Sequence, residues 1–271
     1  MDNKGLNKLR DMAAAHVPAL GTFFSSGNMS MLECLGYTGL DFVIIDTEHG
    51  PFDTETMMNL IRTAELAGLV PVVRIANVDH KEIQRAADCG AQGLIIPCLR
   101  DISDFKKAVD LAKYPPIGNR GFIKGRGTGF GCRPWADTPT LEEYYANSNE
   151  RLMLIPQCET AEALAQIEEI AAIDGIDGIF IGPYDLSTAM GIPGRFDDPA
   201  FAAAKQRILS ACAAAGKPCY FFTTDTDAAA AAFMEGFAGV AHGLDFGMFT
   251  KVYKADTSAI RKQLSPDVNA K

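Results

Sequence analysis

Residues 40–51 read LDFVIIDTEHGP, and this stretch decides the predicted fold. The apolar run at 42–45 has the length of one strand and is hydrophobic enough to be buried on both faces, as strands of a parallel sheet are. Asp46, Glu48 and His49 follow at its carboxyl end, where parallel α/β proteins carry their chemistry. They are therefore candidates for a functional site. The alternative is that the two acids cap the next helix and that His49 is an ordinary turn residue.

Composition limits the classes of partner. With 271 residues, 48% hydrophobic and 22% charged, the chain has the size and make-up of one large globular domain. Its formal charge of −9 argues against nucleic acid or an anionic membrane as the main partner. Its seven cysteines form no C-x-x-C pair, which indicates a reduced, cytoplasmic setting. We expect a cytoplasmic protein that acts on a small-molecule substrate.

Strand-like runs alternate with helical stretches along the chain, without a change of composition that would mark a second domain. The alternation predicts an α/β fold, and eight runs favour a closed (β/α)8 TIM barrel over an open doubly wound sheet. We expect a helical extension at 1–17, the barrel at 18–264 with its last helix at about 246–264, and a frayed tail at 265–271. The predicted strands are 19–25, 41–46, 70–75, 93–99, 152–157, 178–182, 218–223 and 238–241.

The stretch 114–149 departs from this rhythm and is too long for a plain connector. Because it lies between the fourth and fifth predicted strands, we place its glycine-rich part, 118–135, at the rim that carries the candidate residues. There it would form a mobile cationic flap that attracts a carboxylate or polyhydroxyl tail of the substrate. The alternative is a subunit-interface loop. Its interleaved cations are Arg120, Lys124, Arg126 and Arg133.

Polar residues also end other predicted strands. Arg74 ends the third strand, Gln157 and Glu159 continue one face of the fifth, and the sixth is followed by residues 182–185, Gly-Pro-Tyr-Asp. The carboxylates of Glu159 and Asp185 follow adjacent strands, with no cysteine pair beside them. They suit a hard divalent cation such as Mg²⁺ or Mn²⁺. Structural alternatives stay open: Arg74 pairs with a neighbouring carboxylate, Glu159 begins a helix, and Asp185 occupies a turn.

Five motifs, in this order, resemble the HpcH/HpaI aldolase family, whose members are metal-dependent class II pyruvate aldolases. The resemblance extends over roughly residues 18–250. It implies a (β/α)8 barrel, commonly assembled as a homohexamer with exchanged C-terminal helices. The motifs are IDTEHGP at 45–51, PVVR at 71–74, YPPIG at 114–118, PQCET at 156–160 and GPYDLS at 182–187.

The resemblance also implies roles for the matched positions. Glu159 and Asp185 correspond to the metal ligands, which makes the expected cofactor a divalent cation: Mg²⁺ or Mn²⁺, with Co²⁺ as a further candidate. Gln157 corresponds to the polar neighbour at that site, and Arg74 to the residue that holds the keto oxygen. The implied substrate-binding residues are Arg74, Gln157, Gly182, Pro183, Tyr184 and Asp185.

The implied catalytic residues are Arg74 and a dyad of His49 with Asp46 that handles the proton. The implied activity is reversible cleavage of a 4-hydroxy-2-oxo acid to pyruvate and an aldehyde through a metal-stabilised pyruvate enolate. The alternatives are a citrate-lyase-like or malyl-CoA-type carbon–carbon lyase and a catalytically silent barrel. Departures from the family pattern at Phe23 and Tyr184 touch the expected pocket, so the sequence leaves the aldehyde open.

Overall fold

Eight parallel strands pair in sequence order and close into a barrel, because β1 is hydrogen-bonded to β8 as well as to β2. The computed structural model describes residues 5–264. The prediction of a (β/α)8 barrel is confirmed. The strands are β1 (Ala19–Phe24), β2 (Phe42–Asp46), β3 (Val70–Arg74), β4 (Gly93–Ile96), β5 (Met153–Cys158), β6 (Ile179–Ile181), β7 (Cys219–Thr223) and β8 (Gly239–Leu244).

The helices lie between the strands and before and after them. The sequence pattern predicts one helix over 161–172, which the structure divides at Gln166, and it predicts no helix at 29–35 or 183–189, where the structure has one each. The expected tail at 265–271 lies outside the described residues. The helices are α1 (Lys8–Ala14), α2 (Met29–Leu35), α3 (Thr54–Leu66), α4 (His80–Cys89), α5 (Ile102–Ala112), α6 (Leu141–Arg151), α7 (Ala161–Ala165), α8 (Ile167–Ala172), α9 (Pro183–Ala189), α10 (Pro199–Ala214), α11 (Thr226–Glu235) and α12 (Asp245–Leu264), with a 3₁₀ helix at Arg126–Thr128.

Side-chain alternation along each strand divides the core into two parts and orients the site. In β2, Phe42 and Ile44 belong to the cluster inside the barrel, whereas Val43 and Ile45 pack against the surrounding helices. With the period of two of a strand, Asp46 continues the inner face. The same alternation directs Arg74 inward at the end of β3. Polar side chains therefore replace the apolar filling where the strands reach the carboxyl end of the barrel.

The cationic segment at 118–135 lies at the opposite, amino-terminal end of the barrel, so the prediction of a flap over the site is wrong. Helix α5 runs antiparallel to β4 and returns the chain to that end before the segment begins. Its arginines bind internal carboxylates there. Arg126 and Arg133 both donate to Glu65 at the end of α3, at 2.6 and 2.8 Å, and Arg120 donates to Asp88 at 2.7 Å.

A buried ion pair closes the same end of the barrel. The Lys113 ammonium donates to Asp177 Oδ2 at 2.6 Å and to the carbonyls of Asn149 and Leu152. Arg10 of α1 donates to the other Asp177 oxygen at 2.8 Å. Burial by itself raises the pKa of Asp177, but these two cations outweigh it and hold the pKa below its ordinary value. No helix within residues 5–264 has the length and apolar composition needed to cross a membrane.

Candidate active site

An arginine held by two carboxylates occupies the ends of β2 and β3. Arg74 donates to both oxygens of the buried Asp46, at 2.9 and 2.7 Å, and lies 3.1 Å from Glu48 Oε2. Its guanidinium is 4.8 Å from the centre of the Phe23 ring. Burial raises the pKa of Asp46, but the hydrogen bonds from Arg74 outweigh it, and the pKa lies below its ordinary value. Asp46 is thus ionised at neutral pH and fixes the orientation of Arg74.

The predicted dyad of His49 and Asp46 is joined through the His49 backbone, whereas the sequence suggests a contact between the two side chains. Asp46 Oδ1 accepts from the backbone N–H groups of Glu48 and His49, at 3.2 and 3.3 Å. The carboxylate beside the imidazole is that of Glu48, whose Oε2 is 3.9 Å from His49 Nε2. Asp46 therefore shapes the turn that carries His49. The imidazole itself is 71% exposed and faces the cavity.

Glu159 is buried in contact with two donors and a glycine. Its Oε1 accepts from the backbone N–H of Cys98 at 2.6 Å, and its Oε2 accepts from Gln157 Nε2 at 2.5 Å. Burial, with the nearby charges of Asp185 and Glu48, raises the pKa of Glu159 to about 7. A Cβ atom at Gly182 would come within 2.5 Å of Glu159 Oε2, so only glycine leaves room for this carboxylate.

A cavity of about 200 Å³ opens at the carboxyl end of the barrel and brings most of the predicted residues together. Asp46 and Glu159 are buried behind it, where they bind Arg74 and Gln157. Asp185, in the first turn of α9, is exposed at its edge. The predicted residues that line the cavity are His49, Arg74, Gln157, Gly182, Pro183, Tyr184 and Asp185.

Sequence reasoning missed several contributors to the site, among them Cys98 and Phe222. Cys98 was assigned to a strand at 93–99, but β4 ends at Ile96, and Cys98 turns with φ +60° so that its N–H meets Glu159. Burial raises the pKa of its thiol to about 11, so it stays protonated at neutral pH. Phe222 lines the cavity from β7, and the inward alternation of Tyr220 and Phe222 was the signal that could have identified it.

The donor set fits a hard divalent cation. Glu159 and Asp185 offer carboxylate oxygens, and Gln157 Oε1 is a buried acceptor without a hydrogen-bond partner among the described residues. Within 5–264, no group of three or more His, Cys, Asp and Glu side chains is arranged as a metal cage. Two protein carboxylates leave positions for water and substrate, as Mg²⁺ sites usually do.

A family model described as HpcH/HpaI aldolase/citrate lyase matches residues 19–251 of the chain. A 2-dehydro-3,6-dideoxy-6-sulfogluconate aldolase from Pseudomonas putida is 31% identical over 93% of this chain and 96% of its own length. A 5-keto-4-deoxy-D-glucarate aldolase from Klebsiella pneumoniae is 31% identical over 94% of this chain and 97% of its own. A solved structure of an HpcH/HpaI aldolase/citrate lyase family protein from Burkholderia cenocepacia superposes with a TM-score of 0.85, at 30% identity, and covers 94% of this chain and 99% of that one.

Proposed function

The chain belongs to the HpcH/HpaI aldolase/citrate lyase family, and from this premise we propose that it is an aldolase that reversibly cleaves a 4-hydroxy-2-oxo acid to pyruvate and an aldehyde. It is thus a carbon–carbon lyase, as the aldolases among its relatives are. The observation that carries the proposal is the juxtaposition at one cavity of Arg74, His49 and the carboxylates of Glu159 and Asp185.

The pyruvate half of the substrate is assigned to the side of the cavity formed by β3, β5 and the start of α9. Cleavage leaves the electrons of the broken carbon–carbon bond on this half as an enolate, so negative charge develops on the 2-oxo oxygen. Arg74 is the group placed to stabilise it, since Asp46 and Glu48 hold the guanidinium in a fixed orientation before the reaction. Gly182 and Pro183 let the backbone approach the carboxylate of the substrate.

Glu159 and Asp185 are the proposed ligands of a divalent cation, Mg²⁺ or Mn²⁺ with Co²⁺ as a further candidate, next to Gln157. When bound, such an ion supplies Lewis acidity to the 2-oxo acid. Support for the site comes from the oxygen donors and from the buried, unpartnered Gln157 Oε1. Burial, with the nearby charges of Asp185 and Glu48, raises the pKa of Glu159, and a bound cation would offset both effects.

His49 is the proposed base that takes the proton of the 4-hydroxyl group as the carbon–carbon bond breaks. Its imidazole lines the cavity, and its backbone is held by Asp46. The carboxylate of Glu48 lies beside this imidazole, with Oε2 3.9 Å from Nε2. Within the dyad of His49 and Asp46, Asp46 thus positions His49 by holding the backbone of the turn that carries it. Protonation of the enolate at its methylene carbon completes the release of pyruvate.

The alternative activities fit less well. A citrate-lyase-like or malyl-CoA-type lyase has to bind coenzyme A, whereas the described residues that line the cavity bring no basic side chain besides His49 and Arg74 to hold its phosphates. A catalytically silent barrel gives no reason for a buried Glu159 with a raised pKa at the same cavity as an arginine that is ordered by Asp46. The aldolases among the relatives support the aldolase interpretation.

We further propose that residues 18–264 form the catalytic unit, that the enzyme works in the cytoplasm and that it assembles as a homohexamer. Free thiols at all seven cysteines suit a reducing compartment. Helix α12 carries exposed apolar side chains that need a partner surface, which suits exchange of this helix between subunits. They include Phe246, Phe249, Val252, Tyr253 and Ile260.

Exchange of the methyl protons of pyruvate in D₂O tests the aldolase proposal. With Mg²⁺ or Mn²⁺ added, the protein is expected to exchange these protons without any aldehyde, because enolate formation is the half-reaction that the site supports. A screen of 4-hydroxy-2-oxo acids then identifies the cleaved substrate. Activity on coenzyme A thioesters alone would support the lyase alternative. Loss of exchange with every metal would contradict the proposal.

A further inference from the structure

An aromatic wall runs from inside the barrel to the rim of the active-site cavity. It consists of Phe23 from β1, Phe222 from β7, Tyr184 from α9 and Phe196 from the loop before α10. Phe23 and Phe222 meet edge to face at 5.4 Å between ring centres, Phe222 and Tyr184 are 6.2 Å apart, and Tyr184 and Phe196 meet edge to face at 5.0 Å. Four rings from four separate elements therefore form one continuous apolar surface.

The inner end of the wall is buried and its outer end is open. Phe23 and Phe222 are 5% and 8% exposed, whereas Tyr184 and Phe196 are 50% and 40% exposed. The outer rings are nevertheless held in place, because Phe196 also packs on the buried Phe201 at 5.5 Å. Ordered aromatic faces that remain open to solvent at a cavity mouth are suited to bind an apolar group that enters from outside.

The charges around the cavity disfavour an anionic tail on the same ligand. Of the basic side chains, Arg74 and His49 line it, and Arg74 already binds Asp46 and Glu48. Arg195, next to Phe196 in the chain, forms an ion pair with Asp198 at 3.4 Å. The arginines of the 118–135 segment bind carboxylates at the other end of the barrel. A carboxylate or sulfonate that extends along the wall would meet the rings of Phe222, Tyr184 and Phe196, which carry no charge to pair with it.

We propose that the aldehyde half of the substrate carries a flat apolar body, of the arylaldehyde or arylacetaldehyde class, which stacks on this aromatic wall. The inference rests on the proposed aldolase function and assigns the part of the site that the pyruvate half leaves empty. The proposed substrate differs in its aldehyde half from that of a relative whose name specifies a sulfonated sugar acid. Tyr184 and Phe196 are the residues that select the aldehyde, because their rings form the open end of the wall.

The test compares two aldehydes in the addition direction, with pyruvate and Mn²⁺. Phenylacetaldehyde serves as the apolar probe and succinic semialdehyde as the anionic one, and selectivity is the ratio of their kcat/KM values. We expect the wild-type ratio to exceed about 10, and we expect Tyr184→Ala and Phe196→Ala each to lower it about tenfold, since contacts of this size in an apolar pocket are worth at least that much discrimination. Tyr37→Ala, which removes a ring that is 83% exposed at the other end of the barrel, is the matched control and should keep the ratio.

A wild-type ratio of one or less, or a ratio unchanged in both wall variants, would overturn the inference. Because the readout is a ratio, a general loss of activity in a variant does not imitate the expected result. Exchange of pyruvate protons by the wild-type protein separates the two proposals. If exchange proceeds and the ratio fails, the aldehyde inference alone is wrong, and if exchange itself fails, the aldolase proposal and this inference fall together.

Discussion

Replacement of Gly182 by alanine tests the geometry of the site with the smallest possible change. The backbone at this position has φ −88° and ψ 92°, which alanine adopts without strain. The added methyl group would lie 2.5 Å from Glu159 Oε2 and 2.8 Å from Gln157 Nε2. The substitution therefore acts on these two side chains while the backbone conformation is preserved.

The size of the effect follows from these distances. A Cβ atom essentially never lies closer than 3.0 Å to a heavy atom of another part of the chain. Glu159 Oε2 therefore has to move by at least 0.5 Å, the difference between 3.0 and 2.5 Å. Glu159 cannot rotate away freely, because Cys98 N–H and Gln157 hold its two oxygens. Since a misplacement of about 1 Å at a catalytic site costs on the order of 10²-fold in rate, we expect exchange of pyruvate protons to fall by about 10- to 100-fold.

The assay is proton exchange of pyruvate in D₂O with saturating Mn²⁺, accompanied by a thermal melt and a Mn²⁺ titration of each variant. Gly125→Ala is the matched control, because its added methyl would find its nearest heavy atom at an ordinary 3.5 Å, at the other end of the barrel. That variant should keep both exchange and Mn²⁺ affinity.

An exchange rate within about threefold of wild type for Gly182→Ala, with an unchanged melting temperature, would refute the reasoning. The positions of Glu159 and Gln157 would then be immaterial to the chemistry. If the melting temperature drops together with the exchange rate, Gly182 is instead needed for the stability of the barrel.

Three further predictions follow from the site and from the closed end of the barrel. Glu159→Gln and Asp185→Asn should each weaken Mn²⁺ binding sharply in isothermal titration while the fold persists, and wild-type affinity in both would remove them as ligands. His49→Ala should lower cleavage by ~10²–10⁴-fold with Mn²⁺ binding retained, and a loss below about fivefold would assign the proton to another group. Asp177→Asn removes a carboxylate that is paired with the buried Lys113 ammonium. We expect the free energy of unfolding, measured in urea at pH 7, to fall by ~3–5 kcal/mol. Because the folded pKa of Asp177 is lowered, its contribution is full above the ordinary carboxyl pKa of 3.8 and is lost as the pH falls through the lowered value, so the two proteins should converge in strong acid.

The sequence by itself predicted the architecture and offered the candidates for the site. Eight apolar runs that alternate with helical stretches indicate a parallel sheet buried on both faces, and their number favoured closure into a barrel over an open doubly wound sheet. The period of two then placed Gln157 on one face of the fifth strand, and that face, with Met153 and Ile155, lies inside the barrel. These features are local, since strand periodicity and the residue that follows a strand are properties of neighbouring positions in the chain.

Only the tertiary structure decided which side chains meet. The position of residues 118–135 depends on the direction in which α5 runs, so nearness in sequence to β4 and β5 misled the prediction. The partner of Asp46 is Arg74, 28 positions away, because β2 and β3 pair in register and bring the two side chains to the same level of the barrel. The aromatic wall joins β1 to β7 and α9 across the closed barrel. Contacts between residues far apart in the chain depend on strand register and barrel closure, which are set by packing over the whole domain rather than by any one segment.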